Sequence, residues 1–195
     1  NGFMPKEWTK NVGGYLSPAT GHPTKNIPGI EQNTGALGHG LPMAVGMAIA
    51  GKMDGRAYRV FTLMGDGELA EGTNWEASMA ASHYQLDNLI VIVDRNGLQI
   101  SGTTEEVMAL EPLRTKFESF GFCVREVDGN DVAALCSVLK EVPFEKGRPS
   151  LVIAHTIKGK GVSFMENQVQ WHHAVPTDEQ FRQAILELEN ERMAL

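Results

Sequence analysis

The sequence predicts an α/β fold with a mainly parallel central sheet. Two short apolar runs, residues 60–64 and 89–93, have the length and composition of strands, and an amphipathic segment of helical length, residues 71–86, separates them. A strand, a helix and a second strand in this order form a βαβ unit, in which the two strands run parallel. Polar turns follow both runs: Gly65-Asp66-Gly67 after the first and Asp94-Arg95-Asn96-Gly97 after the second. We therefore expect the two turns to lie side by side at one edge of the sheet, where open α/β sheets bind ligands.

Asp66 and Asn96 are the candidate metal ligands at this edge. A carboxylate and an amide oxygen are hard ligands of the kind that Mg²⁺ takes, with phosphate oxygens and water completing an octahedron. Either motif alone is more often a plain turn, because Gly-Asp-Gly and Asn-Gly are common turn sequences. Both motifs on matching strand ends, separated by one helix, favour a divalent-metal site over two unrelated turns.

The remaining elements follow from composition and periodicity. Residues 1–21 are rich in Gly, Pro, Thr and Ser, which predicts a loop with at most one helical turn. Pro42 suits the first turn of an apolar helix over residues 42–53, because its missing N–H costs nothing there. In the helix at 71–86, Trp75, Met79 and Leu86 lie near one stripe and should pack on the sheet. The other predicted elements are a loop at 102–112, a helix at 113–120, a strand at 121–127, a helix from a cap at 128–131 to about 142, a strand at 150–157 and a helix at 178–193.

Composition and charge restrict the class of protein. A chain of 195 residues with 42% hydrophobic and 21% charged residues suits a single globular domain. The net charge of −7 disfavours a nucleic-acid partner and an anionic membrane surface, and no apolar run approaches the roughly 20 residues of a membrane span. Cys123 and Cys136 lack metal-site spacing, which favours structural thiols in a reducing compartment. Because the chain also shows no signal-peptide pattern, we predict a cytoplasmic location.

Four further segments carry candidate binding residues. His22 precedes a proline in a loop, where a histidine without any task is the commoner interpretation. The glycine-rich residues 33–40 precede the first long helix and could bring backbone amides close to a phosphate, or could merely connect two elements. Lys158 begins a Lys-Gly-Lys-Gly turn after the last strand, which fits a phosphate contact and a solvated turn equally well. His172 and His173 are adjacent, but no third ligand spacing supports zinc.

Two longer strings resemble the thiamine-diphosphate signature of transketolases. They are Met64-Gly-Asp-Gly-Glu-Leu-Ala-Glu-Gly-Thr-Asn-Trp-Glu-Ala and Asp87-Asn-Leu-Ile-Val-Ile-Val-Asp-Arg-Asn-Gly-Leu-Gln-Ile-Ser-Gly. The resemblance covers residues 21–176 and is closest to the N-terminal subunit of the split bacterial transketolases, in which the cofactor domain is a separate polypeptide. It implies a three-layer α/β/α thiamine-diphosphate-binding fold. Residues 1–195 would form a single cofactor-binding domain that lacks its N-terminal part, and the pyrimidine-binding domain would be absent.

The resemblance also implies the cofactor site. Asp66, Asn96 and the carbonyl oxygen of Leu98 would hold Mg²⁺, for which Ca²⁺ or Mn²⁺ can substitute, on the diphosphate of thiamine diphosphate. The implied cofactor contacts are Gly35, Leu37, Gly65, Asp66, Gly67, Glu71, Asn96, Ile100, Lys158 and His172.

The catalytic residues implied by the resemblance are His22, His172 and Glu71. The two histidines would transfer protons and bind sugar oxygens, since the pKa of a histidine suits proton transfer near neutral pH. Acidic residues at the positions of Glu71 and Glu76 lie between the two active sites of the family's dimer, although favourable charge at a helix N-terminus is the plainer interpretation. The sequence departs from the family in two places. His39 stands where Gln is usual, and the string Trp171-His-His-Ala-Val-Pro replaces Trp-His-Gly-Lys-Ala-Pro, so that His173 stands where Gly is usual.

The implied activity is the transfer of a two-carbon ketol unit from a ketose phosphate to an aldose phosphate. The resemblance implies a partner, a C-terminal transketolase subunit with the pyrimidine-binding domain, in a dimer or heterotetramer, and sugar phosphates as substrates. One alternative is a related ketol transferase for another sugar, such as a sulfosugar or a branched pentose phosphate. A second alternative is a non-catalytic scaffold with the cofactor fold.

Overall fold

The computed structural model describes residues 2–194, with the side chain of the last of these left out. Its main sheet has four strands in the order β1-β2-β6-β5, all parallel, which confirms the predicted α/β class. A two-stranded antiparallel hairpin, β3-β4, follows β2. The strands are β1 (Val60–Gly65), β2 (Leu89–Arg95), β3 (Leu98–Gln99), β4 (Gly102–Thr103), β5 (Cys123–Asp128) and β6 (Ser150–His155).

Six α-helices and three 3₁₀-helices accompany the strands within the described residues. The α-helices are α1 (Gly40–Met53), α2 (Gly72–His83), α3 (Thr104–Val107), α4 (Leu113–Ser119), α5 (Val132–Lys140) and α6 (Asp178–Ala194). The 3₁₀-helices span Lys6–Asn11, Asp66–Ala70 and Val169–His172. None of these helices is both long enough and apolar enough to cross a bilayer.

The predicted βαβ unit is present as β1, α2 and β2. Val60 pairs with Leu89 and Gly65 pairs with Asp94, so β1 and β2 end level with each other. The turn that begins at Asp66 therefore lies beside the turn at Asn96, as expected for parallel strands.

The central strands β2 and β6 are buried on both faces. Val91 and Ile153 belong to the main hydrophobic cluster, whereas Ile90 and Val152 point to the opposite face, and all four are at most 2% exposed. Continuous burial of this kind is typical of a parallel sheet covered on both sides.

The main cluster lies between one face of the sheet and helices α1, α2 and α4. Phe117 of α4 is fully buried, with its ring centroid 5.2 Å from that of Trp75 and 5.4 Å from that of Phe122. Ring pairs at these separations add about 0.5–1.5 kcal/mol each to the benefit of burial alone. This aromatic group holds α4 against α2, the helix that follows the Asp66 turn.

Two predictions about local structure were wrong. Met79 is 56% exposed, and the buried face of α2 consists of the small residues Ala77, Ser78 and Ala81, together with Asn74. Helix α1 packs directly on α2, and small side chains permit this close approach. Residues 102–112 are not plain loop, because they contain β4 and α3, and Thr103 with Glu106 forms a capping box at the start of α3.

Candidate active site

The Asp66 side chain connects the ends of β1 and β2. It is 1% exposed, and its Oδ1 accepts a hydrogen bond of 2.8 Å from the backbone N–H of Gly67. Its Oδ2 accepts a bond of 2.6 Å from the backbone N–H of Gly97 and one of 2.9 Å from Arg95 Nη1. The structure thus brings the two turns into direct contact.

Asn96 and Leu98 form a tight turn next to this carboxylate. Asn96 Oδ1 accepts a hydrogen bond of 3.1 Å from the backbone N–H of Leu98, which begins β3. The positive φ of Gly97, 77°, lets the chain reverse between them. Ile100 lies at the tip of the β3-β4 hairpin and is 57% exposed.

These residues fit a divalent cation. Each carboxylate oxygen can accept two hydrogen bonds, and within residues 2–194 Asp66 Oδ1 accepts one, from Gly67, so that a second lone pair can serve a metal ion. The amide oxygen of Asn96 and the carbonyl oxygen of Leu98 are hard donors of the same kind. The ligand roles of Asp66, Asn96 and Leu98 remain predictions.

A second group of predicted residues surrounds the glycine-rich loop. A Cβ on Gly35 would lie 2.6 Å from the ring of His22, and a Cβ on Gly38 would lie 2.6 Å from Cβ of Glu71. Gly35 and Gly38 have φ values of 100° and 80°, which strain any residue with a side chain. His22 and Glu71 are therefore brought against this loop, and only glycine allows the approach.

The glycine-rich loop is anchored to the Asp66 turn through Glu68. Glu68 Oε1 accepts a hydrogen bond of 2.8 Å from the backbone N–H of Gly38, and Thr73 Oγ1 donates one of 2.6 Å to the carbonyl oxygen of Gly38. The 3₁₀-helix Asp66–Ala70 thus carries both Asp66 and the anchor of the loop.

A cleft of about 410 Å³ opens between this loop and the edge strand β1, and its lining includes Gly35, Leu37 and Glu68. Leu37 is 55% exposed. A larger cleft of about 500 Å³ lies among residues 2–30, and none of the predicted site residues lines it. Of the predicted site residues, Gly35 and Leu37 line the smaller of these two clefts.

His172 ends the 3₁₀-helix Val169–His172, which packs against β3. Partial desolvation lowers the pKa of His172, and the positive charges of Lys158 and His173 lower it further. The rings of His172 and His173 meet edge to face, with 4.7 Å between their centroids. Lys158 and His172 are thus near enough to interact electrostatically, on the side of the molecule that carries the Asn96 turn.

The other predicted positions are at the surface. Glu71 and Glu76 are exposed, the first before α2 and the second within it. His39 is also exposed and makes a 3.2 Å contact from Nδ1 to the carbonyl oxygen of Leu37.

Two residues of this region were not predicted from the sequence. Glu68 lies inside the Gly-Asp-Gly-Glu string, but its bond to Gly38 spans 30 positions and leaves no local pattern. Arg95 lies inside the Asp-Arg-Asn-Gly string, and its contact with Asp66 spans 29 positions. The sequence offered one signal for a role of Arg95, its position directly before the candidate metal ligand Asn96.

Comparison with known proteins supports one family. The family described as "Transketolase, thiamine diphosphate binding domain" matches residues 7–190. One subunit of the apulose-4-phosphate transketolase of Phocaeicola vulgatus is 51% identical over 187 residues, which cover 96% of this chain and 66% of that protein. A 6-deoxy-6-sulfo-D-fructose transketolase subunit of a Clostridium species is 40% identical over 192 residues, 97% of this chain and 70% of that protein.

The fold has close counterparts among solved structures. The transketolase of Campylobacter jejuni superimposes with a TM-score of 0.88 at 32% identity, over 94% of this chain and 30% of that one. The chain thus spans about two thirds of the subunit relatives and under a third of this full-length transketolase. From these similarities and the geometry above, the chain belongs to the transketolase family, as a thiamine-diphosphate-binding domain of the kind found in separate transketolase subunits.

Proposed function

We propose that this chain binds thiamine diphosphate with Mg²⁺ at the Asp66–Asn96 edge and serves as the cofactor-binding subunit of a ketol transferase. The observation that carries the proposal is the buried carboxylate of Asp66, held against the Asn96 turn by the backbone of Gly97. Asp66, Asn96 and the carbonyl oxygen of Leu98 would hold the metal ion, and Ca²⁺ or Mn²⁺ can take its place.

Bound cofactor supplies an electron sink that lets the bond next to a ketose carbonyl break. The residues of this chain orient the groups around that chemistry. Gly35 and Leu37 present backbone at the cleft, Lys158 offers a positive charge to the diphosphate, and Ile100 gives an apolar contact.

Proton transfer is assigned to His172 and His22. A lowered pKa keeps His172 neutral at physiological pH, so that its free ring nitrogen can accept a proton from a sugar hydroxyl. His22 packs on Gly35 beside the cleft and is positioned for hydrogen bonds to the sugar. Glu71 contacts Gly38 at the start of α2, and its carboxylate would hold a proton shared with a second active site of the assembly.

We also propose that activity needs a second polypeptide. The relatives from Phocaeicola vulgatus and Actinobacillus succinogenes are each named as one subunit of their transketolase, which points to a partner chain. In our proposal that partner carries the pyrimidine-binding domain, and the assembly contains at least two copies of each chain.

The proposed substrate is a branched pentose phosphate of the apulose 4-phosphate type, and not the ordinary pentose phosphates. Two proteins named for that sugar are 51% and 46% identical to this chain, compared with 40% for the one named for 6-deoxy-6-sulfo-D-fructose. His173, in place of the usual glycine, meets the His172 ring edge to face, and it would change the shape of the surface next to the reacting sugar. The sulfosugar is the second candidate, because its transferase also aligns with nearly the whole chain.

The experiment combines this chain with its co-expressed partner, Mg²⁺ and thiamine diphosphate. Apulose 4-phosphate, 6-deoxy-6-sulfo-D-fructose and xylulose 5-phosphate are each offered with an aldose phosphate acceptor, and two-carbon-extended products are quantified by mass spectrometry. We expect kcat/KM for apulose 4-phosphate to exceed the others by about 10-fold or more, the scale on which pocket contacts discriminate related substrates. Preference for xylulose 5-phosphate would contradict the substrate proposal. Absence of saturable cofactor binding would instead favour the non-catalytic scaffold.

A further inference from the structure

Arg95 uses all of its hydrogen-bond donors on the protein itself. Its Nη1 donates to Asp66 Oδ2 at 2.9 Å and to Thr104 Oγ1 at 2.6 Å. Its Nη2 donates to Glu105 Oε1 at 2.9 Å and to Glu111 Oε1 at 3.0 Å, and its Nε donates to Glu111 Oε1 at 3.3 Å. A guanidinium has five N–H groups, and these contacts account for five bonds. No donor is left for a phosphate, so Arg95 acts through protein groups and not as an anion-binding residue.

At one end of this hydrogen-bond network around Arg95 lies Asp66, the candidate metal ligand. The side chain of Arg95 is 11% exposed and that of Asp66 only 1%. Among residues 2–194, Arg95 is the one cationic side chain in ion-pair contact with Asp66. Removing one partner from a buried ion pair leaves a buried charge without compensation, which is strongly unfavourable. Arg95 thus pairs with the Asp66 carboxylate and fixes it in one orientation.

The far end of the network is the segment 104–113. Glu105 Oε1 accepts a bond of 3.1 Å from the backbone N–H of Leu110, and Glu111 Oε2 accepts one of 2.8 Å from that of Leu113. Both leucines are at most 3% exposed and belong to the main hydrophobic cluster. The two glutamates therefore tie Arg95 to a segment that is itself part of the core.

We propose that Arg95 is a positioning residue that holds Asp66 in its metal-binding orientation and couples metal occupancy to the packing of residues 104–113. The coupling rests on the proposed function, since it requires that Asp66 binds the metal ion. Arg95, Asp66, Glu105 and Glu111 together carry one positive and three negative charges. A divalent cation at Asp66 would balance this excess negative charge. With less repulsion among the three carboxylates, the hydrogen bonds that join Arg95 to residues 104–113 would be stronger.

The first arm of the test needs no metal. Amide hydrogen exchange is compared between the wild-type chain and Arg95→Met, with Arg114→Met as the matched control, because Arg114 pairs with Glu118 and Glu126 away from Asp66. We expect faster exchange at Gly97, Leu110 and Leu113 in Arg95→Met, and unchanged exchange there in the control. If Arg95→Met fails to fold, Arg95→Lys provides the same readout, since it keeps the charge but cannot span four acceptors. Unchanged exchange at all three amides in a folded variant would overturn the positioning role.

The second arm adds the metal. Mn²⁺ binding with thiamine diphosphate is measured by electron paramagnetic resonance on the complex with the partner subunit. We expect Arg95→Met to weaken Mn²⁺ binding about 10- to 100-fold, which is the usual cost of losing a residue that orients a metal ligand. Arg95→Lys should bind Mn²⁺ with intermediate affinity, and Arg114→Met should bind it as the wild type does. In the wild type, Mn²⁺ with cofactor should slow exchange at Leu110 and Leu113. Saturable Mn²⁺ binding without that slowing would overturn the coupling. Absence of Mn²⁺ binding in the wild type would overturn the proposed function and the coupling, and the first arm would still decide the positioning role.

Discussion

The carboxylate of Asp66 accepts a 2.6 Å hydrogen bond from the backbone N–H of Gly97, across the ends of two neighbouring parallel strands. This bond places a buried negative charge against the turn that carries Asn96. Because the carboxylate also accepts the N–H of Gly67 and a donor from Arg95, its orientation is set by three groups at once.

Substitution of Asp66 should remove metal binding. Asp66→Asn keeps the shape of the side chain but loses its charge and one of its two acceptor oxygens. We expect the affinity for Mn²⁺ with thiamine diphosphate to fall at least about 100-fold, as measured by calorimetry on the complex. Loss of a residue that only orients a metal ligand costs up to about 100-fold, and loss of a ligand itself should cost at least as much. Asp128→Asn is the control, because Asp128 also ends a strand and, within residues 2–194, its side chain accepts a hydrogen bond only from the N–H of Asn130. Equal affinities of the two variants would refute the metal site.

The glycine-rich loop should tolerate no side chain at Gly38. Gly38→Ala places a Cβ 2.6 Å from Cβ of Glu71 and 2.7 Å from Thr73 Oγ1, in a backbone conformation with φ of 80°. We expect a loss of about 1–3 kcal/mol in the free energy of unfolding, the cost of a strained backbone conformation. Gly46→Ala in α1 meets no atom within 4 Å and should stabilise the chain by about 0.5–1 kcal/mol. Chemical denaturation measures both, and a Gly38→Ala variant as stable as Gly46→Ala would contradict the described loop.

The charge of Lys158 should contribute to the lowered pKa of His172. Desolvation lowers the pKa of His172, and Lys158 lowers it further because two positive charges repel. Lys158→Met removes that repulsion, so the pKa of His172 should rise, and the acidic limb of the pH–rate profile should move to higher pH. Titration of the His172 Cε1–H resonance by NMR checks this without any cofactor.

Lys160→Met is the control for this titration, since Lys160 lies 3.7 Å from Glu166 and is not among the groups that lower the pKa of His172. A pKa of His172 that falls, or stays the same, in Lys158→Met would show that the two side chains do not interact.

The aromatic group on one face of the sheet should carry much of the stability. Phe117→Ala leaves a cavity between Trp75 and Phe122, and we expect a loss of about 3–5 kcal/mol in the free energy of unfolding. Phe181→Ala is the matched control, because Phe181 on α6 is 57% exposed, and it should change stability by less than about 0.5 kcal/mol. Urea denaturation followed by tryptophan fluorescence distinguishes the two, and similar losses would mean that Phe117 is not in the core.

The elements that the sequence predicted correctly are those marked by nearby residues, such as apolar runs, turn residues and helix caps. The strand runs at 60–64 and 89–93 are continuous apolar segments ended by polar turns, and parallel pairing then requires the turns to be neighbours. Asp131 caps α5 through bonds to the N–H groups of Ala133 and Ala134, as a capping residue at a helix start predicts.

The parts that were missed depend on contacts between distant positions. Helix α2 packs on α1 and buries its small residues Ala77, Ser78 and Ala81 while Met79 stays exposed, and the sequence of α2 alone does not reveal which face meets its neighbours. The pairing of Arg95 with Glu111 and the bond from Gly38 to Glu68 likewise join separate segments. The roles in catalysis and cofactor binding came from family resemblance, and the geometry gives them a physical basis without testing them.

The 3₁₀-helix Asp66–Ala70 has a consequence for how the site can evolve. Asp66 faces the Asn96 turn and Glu68 holds the backbone of Gly38, only two positions apart. A single inserted or deleted residue in this stretch would rotate one side chain out of place relative to the other, and no substitution elsewhere could restore both contacts at once. We therefore expect homologues to vary freely in the identity of Ala70, which is exposed, while keeping the spacing between the two acidic side chains fixed.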